Sequence, residues 1–318
     1  MITRWRLGVQ LPQLGRSVPA WLTLGLLLVG AGISVPNFLL PDRLLALGQQ
    51  VAPLAFVALG QTIVILIGGL DLSVGSVVTL SLVLVAGFTH GSADLALPGA
   101  ILCLAVGAAI GTANGLLIER LRLPPLITTI AMLWVAKGIA WVYTKGTPGD
   151  SVPDALRVAA DGKWGILPIA DVIVVAAFAV TFLLLTRTVY GRRLYATGAN
   201  RQAARLSGAR PGLVTVLAYA LCGMLAACGG LMLAGYVAVG NLAAGDPYVL
   251  LSLAVVILGG TTFVGGQGGV VGTLAGVVIL AVLTALLIQL QVPIALRSIL
   301  LAVIIVVAAV LQSRRGYR

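Results

Sequence analysis

The stretch "ILIGGLDLSVGS", residues 65–76, places one carboxylate, Asp71, between two long uncharged runs; the first reaches back to Arg43 and the second extends to His90. An ionised Asp at the centre of a bilayer costs roughly 2.5–3.5 kcal/mol on insertion scales. If both runs cross a membrane, this carboxylate either acts inside it or marks a break between helices. The Gly68–Gly69 pair and Gly75 favour a break, placed by the charge pattern at the inner end of one span and the start of the next. Asp71 is then expected to cap a helix beginning near Leu72, accepting from the amide of Ser73 or Val74.

The rest of the chain agrees with a membrane setting. Of its 318 residues 60% are hydrophobic and 9% charged, and the mean hydropathy is +1.11, against about 45–50% apolar and about 25% charged in soluble domains. Candidate spans run from about 19 to 40, 45 to 69, 72 to 90, 96 to 118, 124 to 144, 168 to 186, 213 to 236, 248 to 264, 268 to 290 and 293 to 312. Most approach the ~20 residues that a helix needs to cross a core of about 30 Å. The runs are continuous rather than alternating, which favours helices over a barrel. The expected fold is therefore all-α and polytopic, a single domain over 1–318 with about ten transmembrane helices. Segments 72–90 and 248–264 are the weakest spans and read as re-entrant candidates.

A net charge of +11 invites a nucleic-acid partner, but the location of the charge rejects one. With the N-terminus inside, the segments 1–18, 119–123, 187–212 and 313–318 hold most of the Lys and Arg, six of the arginines in 187–212 alone. The outside segments hold Asp42, Asp94, Asp150, Asp154, Asp161, Asp171 and Asp246. This asymmetry is the positive-inside pattern, with both termini inside. No cleavable leader is evident, and the basic start reads as leading into a first helix that stays. Cys103, Cys222 and Cys228 sit in apolar spans and read as small buried hydrophobes.

Absences narrow the function. The chain has one His (His90) and one Glu (Glu119), too few to build a hydrolytic or metal centre, so no catalytic and no metal-binding residue is assigned. A phosphate-cradling Gly-x-x-x-x-Gly-Lys-Ser/Thr loop is excluded, because Lys137, Lys145 and Lys163 are followed by Gly, Gly and Trp. Uphill transport would then draw on an ion gradient or on another subunit. Ionisable groups within spans are Asp71, Lys137 and Arg297; Lys137 can reach a neighbouring helix or an interface, and Arg297 reads as an interface anchor.

Four ordered blocks carry a family resemblance: "TIVILIGGLDLSVGSVV" (62–78), "ANGLLIERLRLPPLITTIAMLWVAKGIAWVYTKGTP" (113–148), "GRRLYATGANRQAARLSGAR" (191–210) and "VVILGGTTFVGGQGGVVGTLAG" (255–276). Together they resemble the permease subunits of ATP-binding-cassette sugar importers of the ribose, galactose and autoinducer-2 type. Leu70 and Gln267 are minor departures. The resemblance implies a multi-pass permease of a bacterial cytoplasmic (inner) membrane, importing a monosaccharide or related polyol by alternating access. Its implied partners are an ATP-binding subunit, an extracytoplasmic sugar-binding protein and a second permease copy or homologue, set in membrane lipid. No cofactor is expected in this chain, since ATP and Mg belong to the ATP-binding subunit. Ion-coupled secondary transport or facilitated passage using Asp71 is the alternative.

In "NRQAARLSG", Asn200 is an N-cap, a helix-forming run follows, and Gly208 is a stop. The resemblance makes 187–212 the loop that couples to the ATP-binding subunit, with Gly198, Asn200, Ala203, Ala204, Ser207 and Gly208 as contacts. Substrate-path candidates are the polar span residues Gln61, Thr62, Asp71, Ser73, Ser76, Asn114, Thr128, Thr129, Thr261 and Thr262, whose neutral hydrogen bonds are weak enough for release. Each is also a candidate for bonding its own or a neighbouring helix. Segments 64–76 and 255–266 echo each other, pairing Gly68–Gly69 with Gly259–Gly260 and Gly75 with Gly266. Paired Gly-interrupted segments mark a transporter's central site. The external loop 145–167 is assigned to docking the binding protein.

Overall fold

Pro41, Pro125 and Pro211 each open a long helix, where the missing N–H removes nothing because the first amides of a helix have no intrahelical acceptor. In a computed structural model, residues 12–148, 151–293, 295–297, 299–300 and 302–303 are described. The helices are α1 (Pro12–Ser34), α2 (Pro41–Leu66), α3 (Val74–Thr89), α4 (Ala96–Arg120), α5 (Pro125–Thr144), α6 (Asp154–Asp161), α7 (Ile169–Arg187), α8 (Val189–Ala199), α9 (Arg201–Leu206), α10 (Pro211–Val237), α11 (Asp246–Leu258) and α12 (Val270–Gln289). The all-α expectation gains one small exception, a hairpin of β1 (Lys163–Trp164) and β2 (Leu167–Pro168).

Among the described residues seven helices are long and apolar enough to cross a membrane: α1, α2, α4, α5, α7, α10 and α12. Of the other three expected spans, two are the short helices α3 and α11, with 16 and 13 residues. At 1.5 Å per residue these reach about 24 and 20 Å, short of a core of about 30 Å. The last expected span, 293–312, lies largely outside the described residues, as do most of segment 1–18, all of 313–318, and Asp150.

Small residues bring the backbones together. Gly107, Gly111 and Gly115 on one face of α4 lie against the backbone of α10 at Gly223, Tyr219 and Val216, so the two helices run antiparallel with Arg120 and Pro211 at the same end. Gly60 of α2 meets Cys222, and Gly229 meets Pro53, which sets α2 antiparallel to α10 as well. One end of the bundle therefore gathers the ends of α2 and α4, the start of α10, and α8 and α9, with Arg120, Arg192, Arg193, Arg201, Arg205 and Arg210. The opposite end carries α6, whose Leu156 and Ala160 pack on Gly235 at the end of α10.

Candidate functional site

The two suspected breaks are real, and they share one stop geometry. After α2, the amides of Gly68 and Gly69 donate to Ile65 and Val64; after α11, those of Gly260 and Thr261 donate to Ile257 and Val256. Gly68 (φ +78°) and Gly260 (φ +90°) hold the left-handed position of a Schellman stop, where a side chain would be strained. The register differs by one residue from the expected pairing: Gly68 corresponds to Gly260 rather than to Gly259, so Gly69 falls on Thr261 and Gly75 on Gln267, and one of the three expected glycine matches remains.

Beyond the first break the chain turns back into the bundle. Asp71 Oδ1 accepts from the Ser73 amide at 2.9 Å and from the Ser73 hydroxyl at 2.5 Å. Asn114 Nδ2 donates to Ser73 Oγ at 2.9 Å, and Ser76 Oγ donates to the Ser73 carbonyl. The expected contact with the Ser73 amide is present, but α3 starts later than expected, at Val74, so its N-cap is Ser73 and Asp71 holds that residue from two positions upstream instead of capping the helix itself. The expected depth is corrected too: Asp71 is buried beside Asn114 and Cys222. Those residues stand six and eleven positions from the arginine-rich ends of α4 and α10, or about 9 and 16 Å inside. The reason is the break itself, which lets residues 67–73 climb back before α3 begins.

The start of α11 mirrors this from the other side. Residues 238–245 descend from the end of α10, and Gly245 rests on the backbone of Gly75, its amide donating to Thr79 Oγ1 at 3.0 Å. Asp246 is thus not in an outer loop, as its place after a glycine-rich segment indicates in sequence. It is the first residue of a half-helix and pairs with Lys137 Nζ at 2.7 Å. The N-terminal ends of α3 and α11 abut inside the bundle, each with an aspartate at or near it, where the positive end of the helix favours negative charge.

The second assembly lies at the arginine-rich end. The Gly266 amide donates to the Leu66 carbonyl at 2.8 Å, joining the two breaks, and Gly198 at the end of α8 packs directly on both groups. Tyr195 of α8 donates its hydroxyl to the Gly268 carbonyl at 3.0 Å; burial pushes that hydroxyl well above its usual pKa range and keeps it a donor. Asn200 caps α9, accepting from the Ala203 amide at 2.9 Å. Both oxygens of Glu119, at the last turn of α4, accept from Arg201 at the start of α9. A single guanidinium nitrogen of Arg201 reaches both oxygens, and Glu119 keeps only 13% side-chain exposure, so solvent screens this pair less than an open surface pair worth ~0–1 kcal/mol.

Of the coupling candidates, Asn200, Ala203, Ser207 and Gly208 are exposed, Ala204 turns inward and Gly198 is spent on the breaks. Leu206, not singled out from sequence as a contact, is 84% exposed between them. Of the path candidates, Asp71, Ser73, Ser76 and Asn114 come together. Thr62 lies apart, its hydroxyl 2.7 Å from that of Thr273, which ties α2 to α12. Thr128 and Thr129 donate to Pro124 and Pro125 one turn back. Thr261 Oγ1 accepts from Gly269 inside the second break. Gln61 is buried with neither amide atom bonded to another protein group. All but Thr262 are buried. The Glu119–Arg201 and Lys137–Asp246 pairs were not foreseen; the sole glutamate and the one lysine far from a span end were the available clues.

Residues 43–309 match the family described as the branched-chain amino acid transport system / permease component. The chain is 37% identical over 298 residues to the ribose import permease protein of Bacillus subtilis, spanning 93% of this chain and 92% of that protein. It is 33% identical over 279 residues to the fructose import permease protein of Bifidobacterium longum (86% and 78% of the two chains). It is 30% identical over 241 residues to an autoinducer 2 import system permease protein of Photorhabdus luminescens (76% and 72%). No solved structure matches the chain significantly.

Proposed function

The chain belongs to the branched-chain amino acid transport system / permease component family and is a multi-pass membrane protein; from that premise we propose that it is the permease subunit of an ATP-driven ABC importer for a monosaccharide or related polyol. The observation that carries this reading is the junction of α8 with both helix breaks. A protein that moves α9 from outside moves Gly198, and with it the loops that lead to α3 and start α12. Closure of an ATP-binding subunit thereby alters the seam where the two half-helices meet.

The arginine-rich end faces the cytoplasm on the positive-inside pattern, in a bacterial inner membrane with both termini inside. The ATP-binding subunit seats there on Asn200, Ala203, Leu206, Ser207 and Gly208. The binding protein docks at the opposite end, where the β1–β2 hairpin exposes Trp164 and Ile166. A second permease copy or homologue completes the path. The relatives' sugars support the substrate class, and the buried hydroxyls and amides hold the half-helices in a geometry that weak bonds can rearrange.

The deciding experiment reconstitutes the chain in proteoliposomes with and without its ATP-binding subunit and sugar-loaded binding protein, using radiolabelled D-ribose. Uptake is expected only with both partners and ATP, and vanadate should block it. Uptake by the chain alone along an ion gradient would establish secondary transport through Asp71 instead.

The Glu119–Arg201 pair yields a separate expectation. Glu119→Arg sets two cations together at the root of α9 and should lower ATP-driven uptake by about tenfold, while adding Arg201→Glu should restore most of it. Equal loss in the single and the exchanged variants, measured in complexes of equal yield, would show that the pair transmits nothing.

A further inference from the structure

We propose that the solute crosses the middle of the membrane over an outward-turned surface made by Trp134, Lys137 and Asp246, whose chemistry fits a neutral polyhydroxyl compound; this rests on the import reading above. Lys137 stands twelve residues from the start of α5 and seven from its end, about 18 and 10 Å. Its ammonium reaches both carboxylate oxygens of Asp246, at 2.7 and 2.9 Å. Charged groups at such depth face a bundle interior or a water-filled cavity. This pair does neither within the chain itself: the Lys137 and Asp246 side chains keep 21% and 45% exposure. Even a paired carboxylate and ammonium lose much hydration against hydrocarbon, so the surface they open onto is assigned to a wet path. Most of the polar residues expected on the path behave in the opposite way: all but Thr262 are buried inside the fold, and all but Gln61 and Thr262 bond its own groups.

The surface also selects its ligand. The charges of Lys137 and Asp246 cancel, so a free anion or cation gains little there, whereas hydroxyls can donate to the carboxylate and accept from the ammonium. Trp134 is 67% exposed with its ring centroid 5.5 Å from Lys137 Nζ, and its face offers a flat apolar platform for the C–H side of a sugar ring. Asp246 follows Gly245, which rests on Gly75, so the surface adjoins the seam between the two half-helices. Rearrangement of that seam shifts one wall of the surface against α5.

Trp134→Cys leaves the ion pair in place and turns the site into a reporter, because Cys103 and Cys222 are buried and Cys228 largely so. In the full chain assembled with its ATP-binding subunit in proteoliposomes, a charged, membrane-impermeant thiol reagent is expected to modify the introduced thiol, above the wild-type background. Modification only by a lipid-soluble maleimide would place the surface against lipid, and a disulfide formed between two copies, without reaction with the charged reagent, would make it a subunit contact; either overturns the proposal. This readout requires no transport, so it stands apart from any failure of the import reading. In complexes of equal yield, Trp134→Leu and Asp246→Asn should each cut D-ribose uptake at least about tenfold, while Trp134→Tyr should retain most of it. Unchanged uptake in Trp134→Leu overturns the assignment equally.

Discussion

Gly198→Val should leave a permease that inserts in the membrane but no longer transports. A Cβ at this position would lie nearer than 3 Å to the Leu66 carbonyl oxygen and to the Gly266 amide nitrogen. These are backbone atoms of the two breaks, bonded to each other at 2.8 Å, and neither can rotate away as a flexible side chain would. Overpacking of a well-filled site costs typically ~1–3 kcal/mol. Here the smallest relief is for α8 to lift from the breaks, which separates α9 from the half-helices. Uptake in the reconstituted complex is expected to fall at least about tenfold, while ATP hydrolysis by the partner persists without driving transport. Gly266→Ala approaches the same junction from the other side and carries an added strain, since its φ is +68° and its Cβ would meet Ala199. Gly25→Ala in α1, with open space around it, serves as the neutral comparison. Uptake by Gly198→Val at the wild-type rate would rule out the junction as the route from α9 to the half-helices.

That junction explains what the sequence could and could not convey. The seven long spans follow from runs of apolar residues, and both breaks follow from paired glycines, because a helix stop needs a left-handed residue and glycine adopts that conformation freely. The echo between 64–76 and 255–266 was visible for the same reason, though the hydrogen bonds of the two stops set its register one residue away from the glycine-pair alignment. What the glycines are packed against was not visible. Gly198 has the same local pattern whether its bare face receives another protein or its own chain, and only the arrival of Leu66 and Gly266, far away in sequence, decides it. Ala204 illustrates the same limit, since a six-residue helix has no periodicity long enough to mark its inner face. Depth is the other missing quantity. Asp246 follows a glycine-rich loop and precedes a proline, the composition of an external turn, yet residues 238–245 carry it down to Lys137. Thr62, Thr128 and Thr129 were equally ambiguous, because a hydroxyl that returns to its own helix has the same sequence signature as one that lines a path.

Asp71 provides the second large effect, and the two substitutions that test it separate shape from charge. Its Oδ1 holds both the amide and the hydroxyl of Ser73, and the same hydroxyl receives Asn114 from α4. Leucine is close in size but accepts nothing, so Asp71→Leu strands the Ser73 amide in a site that is fully enclosed. A buried donor left unsatisfied costs about 1–3 kcal/mol, and the loss extends to the hydroxyl network linking α3 to α4. The start of α3 then loses its anchor where it meets Gly245, and the yield of assembled, thermally stable complex in detergent should drop several-fold. Asp71→Asn keeps an oxygen of the same reach, so assembly and its thermal midpoint should stay near those of the wild type. Transport by the Asn variant then separates the two mechanisms. If ATP-driven uptake persists, Asp71 works by shaping the entry to α3, holding Ser73 in place ahead of the helix. If the well-assembled Asn variant is inert, the proton or the charge at Asp71 takes part in the transport step, and the buried carboxylate belongs to the mechanism rather than to the scaffold.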